Sequence, residues 1–325
     1  MKSKIFYSVL IAIATLIGFA AGKFIPSNLS LIQAPDPTAV PTPLAKYSIE
    51  NLSNAQINKS EIKAGENNLF TQQINANLDG KTMNKLTGQI NLPKNDGPFP
   101  IILMLRGYVD PEVYSTGVGT RRAAEEFVKA GFVTIAPDFL GYAGSDENAG
   151  DILESRFQTY TTALSTLFSI DSIPQWDKQN VFIWGHSNGG QIALTLLEIT
   201  GAQFPTVLWA PVSKPFPYSV LYYTDESEDK GKFLRREIAK FEEIYDSDKF
   251  SIDEYFDHIR APIQLHQGTA DDAVPVEWSN LLSKRLLDLN IDLDYFTYSG
   301  SDHNLSPAWD TVVSRDIEFF KKNLK

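Results

Sequence analysis

Residues 181–190 read VFIWGHSNGG, an apolar run of four residues followed by a small, glycine-rich segment. The apolar run predicts a buried strand, and residues 191–200 (QIALTLLEIT) have the length and apolar content of a packed helix. A strand that turns into a helix within so few residues needs glycines around the serine, whose hydroxyl is then lifted clear of the sheet. This order predicts a nucleophile elbow centred on Ser187. The alternative is a glycine-rich turn in which Ser187 only caps the helix.

Length and composition point to one large domain and exclude several classes of partner and chemistry. The chain has 325 residues, 43% of them hydrophobic, which is enough for one large core. Its formal net charge of -11 argues against a nucleic-acid partner, since phosphate binding needs clustered Lys and Arg. The lack of cysteine excludes disulfides, thiolate nucleophiles and Cys-ligated zinc. The histidines show no zinc-binding spacing, and no metal or organic cofactor is expected.

The first 22 residues have the pattern of an export signal. Lys2 and Lys4 precede an apolar stretch over residues 5–21 that ends in small residues. This stretch is also nearly long enough to remain as a membrane anchor, so cleavage and retention both stay open. Residues 23–45 contain five prolines and predict an extended linker. We therefore expect a folded domain over residues 46–325, outside the cytoplasm, with a membrane as partner only through the N-terminal segment.

The folded part begins with alternating strands and continues with an alternation of strands and helices. Apolar residues at even spacing over 70–78 and 86–92 predict two antiparallel strands. Fully apolar runs, typical of strands buried on both faces, follow at residues 101–105, 132–136, 181–184, 206–210 and 263–265. Helical stretches lie at residues 121–130, 151–168 and 276–289, and a last helix starts near Pro307. This pattern predicts an α/β fold with a mostly parallel, doubly wound sheet and an antiparallel N-terminal edge.

One segment does not fit this alternation. Residues 214–260 separate two expected strands and are too many for an ordinary connection. Leu234, Ile238, Phe241 and Tyr245 keep helical spacing within it, while the charged run 225–232 is typical of a solvated loop. We expect this insertion to be a helical lid.

A serine hydroxyl becomes a nucleophile only when a base removes its proton, and an acid must orient that base. After an elbow of this kind, the acid and then the base follow later in the chain. This order favours His303, which lies in a small polar loop after the strand expected near residues 293–298. His266 lies at the end of an apolar strand and is better explained as a packed, hydrogen-bonded histidine.

The acid is expected on the loop of residues 267–275 (QGTADDAVP), which offers two aspartates. Asp271 is the favoured candidate, although Asp271 or Asp272 could instead form a turn or cap a helix. Asp302 is a third, more distant candidate. Ser187 and the favoured acid and base each follow a predicted strand, so parallel strands would bring them to one edge of the sheet.

The oxyanion hole is expected to use two backbone N–H groups. One belongs to Asn188, the residue after the nucleophile. The other comes from the loop after an early strand, which reads Arg106-Gly107-Tyr108 in this chain.

Four segments together resemble the prolyl oligopeptidase type of α/β hydrolase, and dienelactone hydrolases and related esterases are similar as well. The segments are residues 105–108, 185–190, 268–275 and 300–303. The resemblance implies an α/β-hydrolase fold in which Ser187 is the nucleophile, Asp271 the acid and His303 the base. It also implies that Tyr108 is the second oxyanion contributor beside Asn188.

The implied activity is hydrolysis of a small peptide or ester through an acyl-enzyme, with a serine peptidase favoured. The alternatives are a carboxylesterase or lactone hydrolase, or a ligand-binding protein of the same fold that does not catalyse. One departure from the family pattern concerns Arg106, because the family usually has histidine before the glycine of the oxyanion loop. Two hypotheses follow: Arg106 meets a substrate carboxylate, or it forms a structural ion pair with an acidic neighbour.

Overall fold

The computed structural model describes residues 42–224 and 227–325, and nine strands of these residues form one mixed sheet. The strands are β1 (Lys63–Ala64), β2 (Leu69–Ile74), β3 (Asn84–Asn91), β4 (Phe99–Leu105), β5 (Val133–Pro137), β6 (Trp176–His186), β7 (Thr206–Trp209), β8 (Ile263–Gly268) and β9 (Leu293–Tyr298). Their order in the sheet is β1-β2-β3-β5-β4-β6-β7-β8-β9. Pairs from β1 to β3, and β3 with β5, are antiparallel, whereas all later pairs are parallel. The predicted mostly parallel sheet with an antiparallel N-terminal edge is confirmed.

Helices cover both faces of this sheet. In the described residues they are α1 (Ile49–Ser53), α2 (Arg121–Lys129), α3 (Ile152–Phe168), α4 (Asn188–Thr200), α5 (Tyr218–Leu221), α6 (Lys232–Glu242), α7 (Val276–Asp288) and α8 (Trp309–Lys322). Side chains of β4 alternate between the faces, as a pleated strand requires. Ile101 and Leu103 pack in the core that contains α3 and α4, while Ile102 and Met104 pack with α2 and α8. The parallel part is therefore doubly wound, as predicted.

The compact unit begins at Thr42, slightly before the expected residue 46. Its first residues belong to the core, because Tyr47, Ile49 and Leu52 are almost completely buried. The predicted signal or anchor and most of the predicted linker lie outside the described residues. Where the structure does describe the chain, no helix combines the length and the apolar character needed to cross a membrane.

The described residues of the insertion between β7 and β8 include α5, α6 and the 3-10 helices Ser247–Phe250, Ile252–Glu254 and Phe256–His258. Parts of both its halves belong to the core: Phe216, Phe241 and Phe250 surround Phe157 of α3, with ring centroids 5.6, 6.0 and 5.0 Å away. The Tyr245 hydroxyl also accepts a hydrogen bond from the Leu44 N–H, near the start of the compact unit. A helical lid was predicted here. The helices are present, but Phe216 and the second half pack in the core and do not cover the domain as a separate layer. The first half, with α5, borders the loop that follows β8.

Glu198 on α4 is a buried carboxyl side chain for which the described residues supply no hydrogen-bond partner. Burial, together with the negative charges of Asp253 and Asp257, raises its pKa well above the usual value. Glu198 therefore keeps its proton up to a higher pH in the folded protein than in the unfolded chain. Stability falls as pH rises through a range in which the folded state binds more protons.

We expect Glu198→Met to stabilise the protein more at pH 8 than at pH 5. Methionine fills a similar volume without an unpartnered polar group, and removing such a group is worth about 1–3 kcal/mol. Denaturant unfolding of both proteins at the two pH values measures the difference in free energy of unfolding. Glu318→Met, an exposed position on α8, is the control and should change little. An equal gain at both pH values would contradict the raised pKa.

Candidate active site

The turn between β6 and α4 places Ser187 in a strained backbone conformation. Its φ of 56° and ψ of -121° lie outside the regions that non-glycine residues favour. Such a residue costs on the order of 1–3 kcal/mol and persists only when its surroundings fix it. Here the Ser187 N–H donates to the Trp209 carbonyl (2.9 Å), and the Ser187 carbonyl accepts from the Val212 N–H (3.0 Å). The strand β7 and the residues after it therefore hold the elbow in place.

Glycines let α4 start directly against the end of β4. A Cβ added to Gly189 would lie 1.9 Å from the Leu105 carbonyl oxygen, and one on Gly185 would lie 2.6 Å from the Gly189 carbonyl oxygen. Larger residues cannot occupy either position without moving the backbone. The Ser187 side chain makes no capping hydrogen bond to α4. The alternative in which Ser187 only caps the helix is therefore wrong.

Asp271 and His303 form a hydrogen-bonded pair on the loops that follow β8 and β9. The His303 Nδ1 lies 2.9 Å from Oδ2 of Asp271. The aspartate side chain is fully buried, while 19% of the histidine side chain is exposed. Because an ionised carboxylate only accepts hydrogen bonds, Nδ1 carries the proton and Nε2 is left to accept one.

The loop after β8 holds the Asp271 carboxylate from two sides. Its Oδ1 accepts from the N–H groups of Ala273 and Val274 at 2.9 and 2.8 Å. Its Oδ2 accepts from Nε2 of Gln267 at 2.9 Å, beside the bond from His303. Burial by itself raises the pKa of Asp271, but the hydrogen bonds from His303 and Val274 outweigh it and the pKa is lowered. The carboxylate is consequently ionised at neutral pH.

The other candidate residues have different surroundings. Asp272 is exposed, and no bond joins it to His303. Asp302 is also exposed, and its Oδ1 accepts from the Asn304 N–H in a local turn. His266 is completely buried, with Nδ1 2.8 Å from the Tyr298 hydroxyl. It is a packed, hydrogen-bonded histidine, as the sequence indicated.

His186 is a residue of this site whose contacts the sequence did not reveal. It is the last residue of β6, and its Nε2 donates to the His303 carbonyl at 3.0 Å. The two imidazole rings also face each other, with centroids 4.7 Å apart. Burial and the charge of a protonated His303 lower the pKa of His186 to about 4. His186 therefore stays neutral at neutral pH and ties the His303 loop to the elbow.

The loop after β4 lies against the elbow. A Cβ added to Gly107 would lie 3.0 Å from Cβ of Ser187, closer than most side-chain contacts, so glycine favours this approach. Asn188 is the first residue of α4, where backbone N–H groups have no partner within the helix. Tyr108 follows Gly107, and 74% of its surface is exposed. The two residues expected to form an oxyanion hole thus flank Ser187 on different elements.

Arg106 requires a correction to both sequence-based hypotheses. Its side chain is only 5% exposed, so it does not meet a substrate carboxylate at the surface. Its terminal nitrogens donate to the backbone carbonyls of Gly107 and Asp138, at 2.9 Å each, and not to a carboxylate. The guanidinium therefore binds the backbone of its own loop and of the loop after β5.

An aromatic cluster, here called the aromatic wall, stands beside the loop that carries Asp271. It consists of Tyr218, Tyr222, Tyr223 and Trp278. The Tyr222 and Trp278 rings lie 4.7 Å apart, and the Tyr223 hydroxyl donates to the Ala273 carbonyl. Trp278 also packs with Val212, the residue whose N–H binds the Ser187 carbonyl. Since Tyr218 and Tyr222 are 49% and 41% exposed, the wall presents apolar surface near the elbow.

The sheet, the elbow and the loops at its carboxyl edge define the protein as a serine hydrolase of the α/β-hydrolase fold. Residues 122–325 match the prolyl oligopeptidase family, and the chain belongs to that family. An uncharacterized peptidase of Bacillus subtilis, YtmA, is 27% identical over 247 residues, which cover 74% of this chain and 89% of that protein.

Two solved structures show the same fold. The puromycin-hydrolyzing peptidase of Mycobacterium tuberculosis aligns with a TM-score of 0.59 and 18% identity, over 84% of this chain and 40% of that one. Est1E of Butyrivibrio proteoclasticus, solved with ferulic acid, aligns with a TM-score of 0.53 and 18% identity, over 77% of this chain and 98% of that one. Peptidases and esterases are thus both among the similar proteins.

Proposed function

We propose that the protein is a serine peptidase that cleaves short peptides through an acyl-enzyme. The observation that carries this proposal is the His303–Asp271 hydrogen bond at the sheet edge where the strained elbow presents Ser187. The buried carboxylate fixes the imidazole in the tautomer that a general base needs. Membership of the prolyl oligopeptidase family supports a peptide substrate over an ester.

In the acylation step, Oγ of Ser187 attacks the carbonyl carbon of the scissile bond and its proton passes to Nε2 of His303. Asp271 stays ionised and stabilises the imidazolium through the hydrogen bond at Nδ1. The carbonyl oxygen becomes an oxyanion that accepts hydrogen bonds from the N–H groups of Tyr108 and Asn188. The tetrahedral intermediate then expels the amine, which takes the proton from His303.

Deacylation repeats these steps with water. His303 removes a proton from the water, whose oxygen attacks the acyl carbon of the ester on Ser187. Collapse of the second intermediate releases the carboxylic acid and returns the proton to the serine oxygen. No metal or organic cofactor is needed in either half of the reaction.

The aromatic wall supports an apolar residue on the acyl side of the scissile bond. Trp278 and Val212 connect the wall to the elbow, and the exposed rings of Tyr218 and Tyr222 supply apolar area. Aromatic surfaces of this kind bury apolar side chains and add favourable ring contacts. Acidic substrates are disfavoured by the net negative charge of the chain.

A matched panel of amides and esters tests the peptidase proposal. We expect peptide p-nitroanilides with an apolar residue before the scissile bond to be hydrolysed, and to be hydrolysed faster than those with an acidic residue there. The p-nitrophenyl esters of the same acyl groups are the comparison, because serine peptidases also cleave activated esters. Hydrolysis of the esters and not of the anilides would instead support the carboxylesterase or lactone hydrolase alternative.

Labelling by a fluorophosphonate tests the catalytic proposal itself. We expect one equivalent of probe to attach at Ser187, as located by peptide mass analysis. Native protein that stays unlabelled while a control serine hydrolase reacts would support the ligand-binding alternative.

We also propose that the catalytic domain works outside the cytoplasm. Support for this comes only from the sequence of the first 22 residues, with its lysines and apolar stretch. The mass of the mature N-terminus tests it: loss of this segment indicates an export signal, and its retention in a membrane fraction indicates an anchor. An intact chain in the cytosolic fraction would contradict the proposal.

A further inference from the structure

Arg106 lies where β4 ends and the oxyanion loop begins, and aromatic rings enclose its guanidinium. The centre of the guanidinium is 4.0 Å from the Tyr142 ring centroid and 4.4 Å from that of Tyr114. These two rings also meet each other edge to face at 5.1 Å. Stacking on aromatic faces fixes the plane of a guanidinium in a way that a lysine ammonium cannot reproduce.

The hydrogen bond from Arg106 to Gly107 determines how the next N–H group points. Nη1 of Arg106 donates to the Gly107 carbonyl at 2.9 Å, and the Gly107–Tyr108 peptide is trans. In a trans peptide the carbonyl and the N–H of the following residue point in opposite directions. With the carbonyl turned inward to Arg106, the Tyr108 N–H points to the other side of the loop.

The loop at Gly107 lies beside the nucleophile. Gly107 is so close to Ser187 that an added Cβ would lie 3.5 Å from the serine Oγ. The described residues provide no hydrogen-bond acceptor for the Tyr108 N–H. This N–H is therefore an unpaired donor on the loop beside the serine, where an oxyanion hole needs a donor.

The surrounding residues hold Arg106 and the loop together. Nη2 of Arg106 donates to the Asp138 carbonyl, while the Asp138 carboxylate accepts from the Tyr114 hydroxyl at 2.6 Å and from Thr116 at 2.9 Å. The Tyr142 hydroxyl donates to the Val109 carbonyl at 3.0 Å. The rings that stack on Arg106 are thus themselves anchored, one of them to the oxyanion loop.

We propose that Arg106 is a positioning residue that aims the Tyr108 N–H at the oxyanion. This inference rests on the proposed acyl-enzyme mechanism and gives a role to the residue at which the chain departs from its family's usual histidine. Arg106 acts through the peptide that it holds and does not touch the substrate.

Kinetics of Arg106→Met, normalised to the serine titrated by a fluorophosphonate, test this role. Methionine keeps much of the packed stem but cannot donate a hydrogen bond. We expect kcat to fall roughly a hundredfold with KM within about threefold, since losing one oxyanion donor slows turnover by about 10²–10³-fold. The affinity for a peptide boronic acid, whose adduct with serine is tetrahedral, should fall by a similar factor. Arg122→Ala, on the exposed face of α2, is the control and should leave both values unchanged.

Arg106→Lys keeps the charge and one flexible donor, so we expect it to recover part of kcat, and it serves as the test if Arg106→Met does not fold. An unchanged kcat per titrated serine in either variant would overturn the proposal, as would a rise in KM at constant kcat. Failure of the wild-type protein to react with the fluorophosphonate would instead contradict the proposed function. The two failures are therefore distinguishable.

Discussion

Ser187→Ala is expected to lower kcat by about a million-fold, the scale found when a serine nucleophile is removed from such a triad. The variant keeps the proposed oxyanion donors and the His303–Asp271 pair, so we expect some acceleration over water to remain. The melting temperature should stay nearly unchanged, because the serine side chain makes no capping bond that alanine would lose. Alanine also tolerates the positive φ about as poorly as serine does.

Hydrolysis of the best peptide p-nitroanilide, measured with thermal unfolding of the same samples, checks this expectation. Ser306→Ala changes an exposed serine near His303 and should retain full activity. A Ser187→Ala protein that is folded and still turns over at more than a small fraction of the wild-type rate would contradict the nucleophile assignment.

Asp271→Asn is expected to lower kcat by about 10⁴-fold while the protein still folds. The N–H groups of Ala273 and Val274 face one side of this side chain and can only donate, so the asparagine oxygen must stay there. Its amide nitrogen then faces His303 and donates to Nδ1. The imidazole proton moves to Nε2, which can no longer accept the serine proton.

The neighbouring aspartate supplies the control for this variant. Asp272→Asn removes the same charge one residue away, but its exposed side chain has no bond to His303, and we expect activity within twofold of wild type. Hydrogen bonds lower the pKa of Asp271. The defect of Asp271→Asn should therefore be constant from pH 6 to 9, and a loss confined to one end of that range would contradict the tautomer explanation. Equal losses in the two variants would contradict the assignment of Asp271.

The sheet was predictable because local patterns reflect burial. The apolar run at residues 101–105 marked β4, and the run at 181–184 marked the buried part of β6, since strands covered on both faces must be apolar along their length. The length of β6 was not predictable: Trp176 pairs with Phe99, but the polar residues 177–180 separate it from the apolar run and give no strand signal. The insertion at residues 214–260 was predicted to be a helical lid. Its packing on Phe157 could not be predicted, because Phe157 lies far away in the chain.

The candidate site was predictable to the extent that parallel strands bring their carboxyl ends together. Ser187 was predicted from the elbow pattern and His303 from chain order, and the structure places them on neighbouring loops. The choice between Asp271 and Asp272 depends on one residue of register, and sequence alone favoured Asp271 without excluding the other. His186 had no signal beyond its position next to the serine, because its partner His303 lies 117 residues away.

The sequence by itself determined the strand-elbow-helix unit, the α/β alternation and the loops that carry the candidate acid and base. These features follow from burial periodicity and from the few residues that can adopt a strained turn. Tertiary structure alone decided that Asp271 is the aspartate that bonds to His303, that His186 braces the His303 loop, and that Arg106 turns inward to the Gly107 carbonyl. Each of these depends on a hydrogen bond whose geometry is set by how strands and loops pack in space, and no local pattern of residue types encodes that packing.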